Sequence, residues 1–140
     1  MITATPLLDA GAMEVMAVMR NYPRDDYLQG TALEAINDLA ARADTMTRLG
    51  ELGAVGAVLT VMRTHPAVVR IQRNGLCAIG NFAADVINQS VLFAHGADEA
   101  VLAAMHKHPA DACIQSNGAH ALCNMSGWGH FIDYASDASH

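Results

Sequence analysis

Apolar residues recur along this chain at helical spacing, and the pattern then recurs as a block. In Gly53 to Phe82, GAVGAVLTVMRTHPAVVRIQRNGLCAIGNF, the residues Val55, Val58, Leu59, Val61 and Met62 line one face of a helix predicted from Gly53 to Arg63. Thr64-His65-Pro66 ends it, because the residue before proline is pushed out of the α region. A longer helix is predicted from about Ala67 to Ala84, with Val68, Ile71, Leu76, Ala78, Ile79 and Phe82 as its apolar positions. Pro66 at its entrance suits a first turn, where a missing N–H costs little.

The same block returns from Gly96 to Met125, with Val101, Leu102 and Met105 before His108-Pro109 and Ile114, Ala121, Leu122 and Met125 after it. A fainter copy runs from Ala10 to Leu39. Pro23, Pro66 and Pro109 are 43 residues apart each time. A fixed period of that size predicts an all-α chain folded as an α-solenoid. Between copies lie shorter segments, Asp44 to Leu52 and Asp85 to His95. Each begins with an acidic, cap-like residue and ends at a glycine, Gly53 or Gly96, so each reads as a helix of two or three turns. The repeating unit is therefore short helix, helix, longer helix. It divides a repeat domain of residues 1–126 at about 1–43, 44–85 and 86–126. Residues 127–140 leave the pattern and concentrate Trp128, Phe131, Ile132 and Tyr134. They read either as a cap over the last repeat or as the truncated start of another.

Composition narrows the partners. Aromatics make up 5% of a chain that is 52% hydrophobic, so close-packed helices are favoured over a sheet core. Eight Lys and Arg against a formal net charge of −6 argue against nucleic acid, and no basic run suggests a membrane surface. The first residues have neither a basic n-region nor a long apolar run, so no secretory signal or transmembrane span is read there. Cys77, Cys113 and Cys123 form no C-x-x-C pair, which predicts reduced thiols in a reducing, cytoplasmic compartment.

Candidate chemistry is sparse. His106 and His108 form an H-x-H in a turn, without the further ligands a zinc site needs, so no metal is assigned. Cys113, His120, Cys123 and His130 fall close together, but nothing orients a base and no oxyanion donor is identifiable; buried structural cysteine is the better reading of Cys123, which aligns with Gly80. Gly50, Gly53 and Gly56 span a helix junction with no preceding strand, so no nucleotide loop or other cofactor site is read. Gly75 and Gly118 lie inside helices where the first copy has Ala32, which predicts close approach of a neighbouring helix backbone.

These units resemble the armadillo repeat family. The resemblance rests on Gly53-Ala54 and Gly96-Ala97 opening the second helix, and on Ile71-Gln72 with Gly75 and Ile114-Gln115 with Gly118 in the third. Ala78-Ile79 with Asn81 and Ala121-Leu122 with Asn124 complete it. It covers roughly residues 5 to 126 and implies a right-handed solenoid whose stacked third helices form a concave, peptide-binding groove. Carried onto this chain, that groove holds Glu34, Asp38, Arg73, Cys77, Asn81, His120 and Asn124. The family's asparagine bonds the ligand backbone from the position of Asn81 and Asn124. A carboxamide offers both donor and acceptor for that purpose, but it serves equally to bond the protein's own backbone. Nuclear-import members of the family pair this asparagine with a tryptophan one turn earlier, where this chain has Glu34, Cys77 and His120. The aromatic ladder that grips lysine is thus absent, which speaks against an import role. Glu34 and Asp38 favour a basic segment at one end, and Arg73 interrupts the acidic trend. The expected function is a non-catalytic interaction module for a protein or extended peptide. The alternative is a structural subunit inside a larger assembly, joined or oligomerised through open solenoid ends.

Overall fold

The computed structural model describes residues 5–126. They form eight helices and no strand: α1 (Thr5–Asn21), α2 (Asp26–Ala40), α3 (Ala43–Glu51), α4 (Ala54–Thr64), α5 (Val69–Phe82), α6 (Val86–Ala94), α7 (Ala97–Lys107) and α8 (Ala112–Met125). The aromatic segment 127–140 lies outside the described residues.

The helices lie in rows. α5 packs between α2 and α8, which do not touch each other; α4 likewise lies between α1 and α7, and α3 packs on α6. The core runs between the rows. α4 buries Val55, Val58, Leu59, Val61 and Met62, and α5 answers with Ile71, Leu76, Ala78, Ile79 and Phe82. Leu49 of α3 and Leu92 of α6, both 0% exposed, anchor the short helices to this core. The middle helices bury the most because they have neighbours on both sides. Leu59 on α4 is 0% exposed, while its counterpart on α7, Leu102, is 54% exposed.

Backbone conformation sets the junctions. Gly53 (φ 92°) and Gly96 (φ 71°) adopt the left-handed region, closing α3 and α6 and opening α4 and α7. The corresponding residue in the first copy is Ala10, which carries a Cβ that this conformation disfavours. There the chain runs on without a break, and the expected separate short helix merges into the 17 residues of α1.

Two expectations change at the turns. Asp85 caps α6 by accepting from Asn88 N, but the residue in its place before α3 is Arg42, with Asp44 already inside the helix. Pro66 does not occupy the first turn of α5; the N-cap is Val68. Pro23 and Pro66 lie in the linking turns, where each carbonyl bonds a histidine one unit onward: His65 Nε2 to Pro23 O at 2.7 Å and His108 Nε2 to Pro66 O at 2.9 Å. Both rings thus carry their proton on Nε2 and tie adjacent turns together.

Gly75 and Gly118 make room for a side chain rather than a backbone. A Cβ on Gly75 would stand 2.5 Å from Met62 Cγ and Sδ, and one on Gly118 2.5 Å from Met105 Sδ. Each methionine comes from the second helix of the same unit. Beside this contact sits a polar clasp that repeats three times. Gln29 Nε2 donates to Met19 O (3.3 Å) and Tyr22 O (2.6 Å). Gln72 Nε2 donates to Met62 O and His65 O, both at 3.0 Å, and Gln115 Nε2 to Met105 O (2.8 Å) and His108 O (3.1 Å). The accepting carbonyls belong to the last turn of the second helix and its cap, groups that have no partner within the helix itself. The glutamine thereby fixes the angle between second and third helices.

Candidate functional site

The seven residues expected in a groove all fall on the row of third helices. Glu34 and Asp38 are on α2, Arg73, Cys77 and Asn81 on α5, and His120 and Asn124 on α8. Spacings of four residues keep each set on one helix face. Glu34, Asp38, Arg73 and His120 are exposed; Cys77, Asn81 and Asn124 are half-buried.

Bonds between adjacent helices organise this face. Arg70, on α5, reaches back to Glu34 with Nε at 3.1 Å and Nη2 at 2.9 Å, and its guanidinium stands 5.5 Å from the Tyr27 ring centroid. The same guanidinium lies over Gly30, where a Cβ would meet Nη1 at 2.5 Å. Arg73 reaches forward to Asp111, with Nη2 at 2.7 Å and Nε at 3.3 Å. Asp111 also caps α8 through Ile114 N at 2.9 Å. The Arg73 bond, and after it the Ile114 N–H, hold the Asp111 carboxyl below the usual carboxylate range. On the opposite edge Arg48 grips Asp9 with two bonds, 2.9 and 2.6 Å, which lower the Asp9 carboxyl in the same way.

The asparagines bond within the protein. Asn124 Nδ2 donates to Gly80 O at 3.1 Å, and Asn81 Nδ2 to Asn37 Oδ1 at 2.7 Å. Asn124 Nδ2 also lies 3.1 Å from His120 Nε2, and His120 packs over Gly80, whose added Cβ would sit 3.2 Å from His120 Cδ2. The own-backbone alternative is therefore realised at Asn124, and a side-chain version of it at Asn81. Both carboxamide oxygens remain without a donor among the described residues.

Charge on the face is thus lower than the residue list implies. Arg70 neutralises Glu34, Asp111 neutralises Arg73, and Asp38 alone of the three charged groove residues has no ion-pair partner among the described residues. Arg70, Tyr27, Asn37 and Asp111 did not enter the groove as read from sequence. Their signal is there: each Arg lies about one repeat from its acid, less one or two helical turns, the offset expected across neighbouring parallel helices. Cys123 is half-buried rather than buried, and Cys113 is exposed; the three thiols are free.

A second kind of feature lies along the second helices. A hollow of about 660 Å³ opens between α1 and α4, with Met16, Met19 and Val61 in its lining and Arg20, Arg63 and His95 at its polar side. Its counterpart between α4 and α7, which includes Met62, Pro66 and Ala104, is about 230 Å³. Among the described residues no helix is long and apolar enough to cross a membrane. Comparison with known family models, curated proteins and solved structures returns no match for this chain.

Proposed function

We propose that the protein is an armadillo-type repeat module, a right-handed solenoid whose concave third-helix face binds a protein or an extended peptide without catalysis. The observation that carries this reading is the pair of half-buried carboxamides on neighbouring third helices. Asn81 and Asn124 have their donors fixed by Asn37 and Gly80, so each is held with an acceptor oxygen to offer. Packed helices stand about 8–10 Å apart, and an extended chain rises about 3.3 Å per residue. Successive rungs thus match every third residue of an extended partner. With the flanking charges paired internally, recognition rests on main-chain hydrogen bonds rather than on a charged sequence. A reducing, cytoplasmic setting suits the three free thiols.

The test is selection of peptides from a randomised twelve-residue library displayed on phage against the immobilised chain. The peptides selected lose about tenfold in affinity on Asn81→Ala combined with Asn124→Ala. Each substitution removes an internal hydrogen bond worth about 1 kcal/mol, so binding is compared well below the unfolding transition. Unchanged affinity in the folded double variant contradicts the groove.

A second reading has its own support. Val86 and Ile87 on α6 are 75% and 62% exposed, with Phe93 at 49% and Leu102 of α7 at 54%. Apolar surface of that kind suits a structural subunit packed inside an assembly. Sedimentation decides: concentration-dependent association that Ile87→Lys abolishes supports this reading, and a monomer at all concentrations opposes it.

A further inference from the structure

We infer that the hollow between α1 and α4 is a binding site for a small amphiphilic anion, a carboxylate carried on an apolar tail. The two equivalent hollows along the second helices make the case by their differences. The α4–α7 hollow is about 230 Å³, and the α1–α4 hollow about 660 Å³. The larger one extends to Gly53 and Gly56 at the start of α4. A Cβ on Gly56 would meet only the His95 ring, at 3.6 Å, an ordinary contact distance, so a side chain can be placed there. One repeat onward the same position is Glu99, a bulky, negatively charged residue that lies outside the smaller hollow, whose lining does not extend to the start of α7.

The arginines differ in the same sense. Arg63 donates to His95 O at 2.7 Å and Gly96 O at 3.3 Å, satisfying the end of α6. Arg20 is its counterpart on α1 and makes no hydrogen bond or ion pair among the described residues. Both arginines line the larger hollow, whose lining contains no Asp or Glu, and only Arg63 is shared with the smaller one. That is a notable concentration of positive charge in a chain with eight Lys and Arg against fourteen Asp and Glu. A guanidinium presents a planar fork of donors that matches a carboxylate, and an apolar floor beside it accepts a hydrocarbon chain. Met16 and Met19 supply a floor that adapts to the shape of a tail. The site is independent of the third-helix face.

Decanoate is the probe, titrated into protein carrying ¹³C-methyl methionine, with decyltrimethylammonium and decanol as tail-matched controls. The Met16 and Met19 methyls shift on saturation with decanoate while Met105 and Met125 stay in place. The cation and the alcohol bind at least tenfold more weakly. Arg20→Ala, an exposed residue without internal partners, weakens decanoate at least tenfold. Gly56→Glu, which places a bulky negative side chain in the lining of the hollow, abolishes binding while circular dichroism stays unchanged. Equal binding of decanoate and decyltrimethylammonium, wild-type affinity in both variants, or no shift at Met16 and Met19 would overturn the assignment. So would concentration-dependent shifts of those two methyls without decanoate, which would assign the hollow to a second copy of the chain.

Discussion

The joint between second and third helices and the outer face of the third helices are built from the same repeat, and they treat it differently. At the joint the three copies agree in Gln29, Gln72 and Gln115 and in Met19, Met62 and Met105, and they keep a small residue at Ala32, Gly75 and Gly118. On the face they diverge at Glu34, Cys77 and His120, although Asn81 and Asn124 one turn on agree. The joint is polar, buried in the first two copies and half-buried in the third, and its carbonyls admit few solutions, so the same side chain returns. The face is bonded by whatever pairs suit each step, an Arg–Glu bridge at one and an Asn–carbonyl bond at another. Identity across copies therefore marks what holds the helices together. Variation marks positions that each step of the face bonds in its own way.

The largest expected effect lies at the joint. Gln72→Ala strands the Met62 carbonyl, at about 1–3 kcal/mol, and takes one hydrogen bond, worth about 1 kcal/mol, from the His65 carbonyl, which keeps the Val68 N–H, so urea unfolding should register about 2–4 kcal/mol in total. Gln29→Ala should cost less, because Gln29 Oε1 is already buried without a partner. Equal losses would mean that the clasp is not what distinguishes the two sites. Next comes Gly75→Val. Its branched side chain collides with Met62, and overpacking of this kind costs about 1–3 kcal/mol. Truncation of the methionine in the double variant Gly75→Val, Met62→Ala should restore part of the loss; no restoration would place the clash elsewhere. Gly53→Ala is smaller, about 1 kcal/mol, because alanine is strained at φ 92° although nothing crowds the site.

The face should give the smallest effects, and one that depends on pH. The Asp111 carboxyl is held low by Arg73, so the pair stabilises the fold above the ordinary carboxylate pKa of about 4 and loses that contribution as pH falls through the lower folded value. Arg73→Ala should therefore be slightly less stable than wild type at pH 7, with the gap closing towards pH 3. A gap that widens on acidification would contradict the bridge.

Much of this was legible before any coordinates. The period, the three helix types and the phase of Val58, Ile71 and Ile79 follow from apolar spacing, which is a property of the chain itself. What stayed hidden depends on reach. Gln72 reads as an ordinary helical residue because its partners are backbone carbonyls seven and ten residues earlier, and backbone leaves no trace in a sequence. The merging of α1 turns on Ala10 in place of a glycine, a single substitution easily passed over in the faintest copy. Arg70 went unread because its Tyr27 and Glu34 partners lie on another helix. The hollow between α1 and α4 exists only once two helices are set side by side.

The contrast between joint and face is tested most directly by urea unfolding of two matched double variants, Gln72→Ala with Gln115→Ala and Cys77→Ala with His120→Ala. The first pair should lose several kcal/mol, about the sum of two broken clasps. The second should stay within about 1 kcal/mol of wild type, as expected of surface substitutions. A face pair that destabilises as much as the clasp pair, or a clasp pair that leaves the midpoint unmoved, would contradict the account.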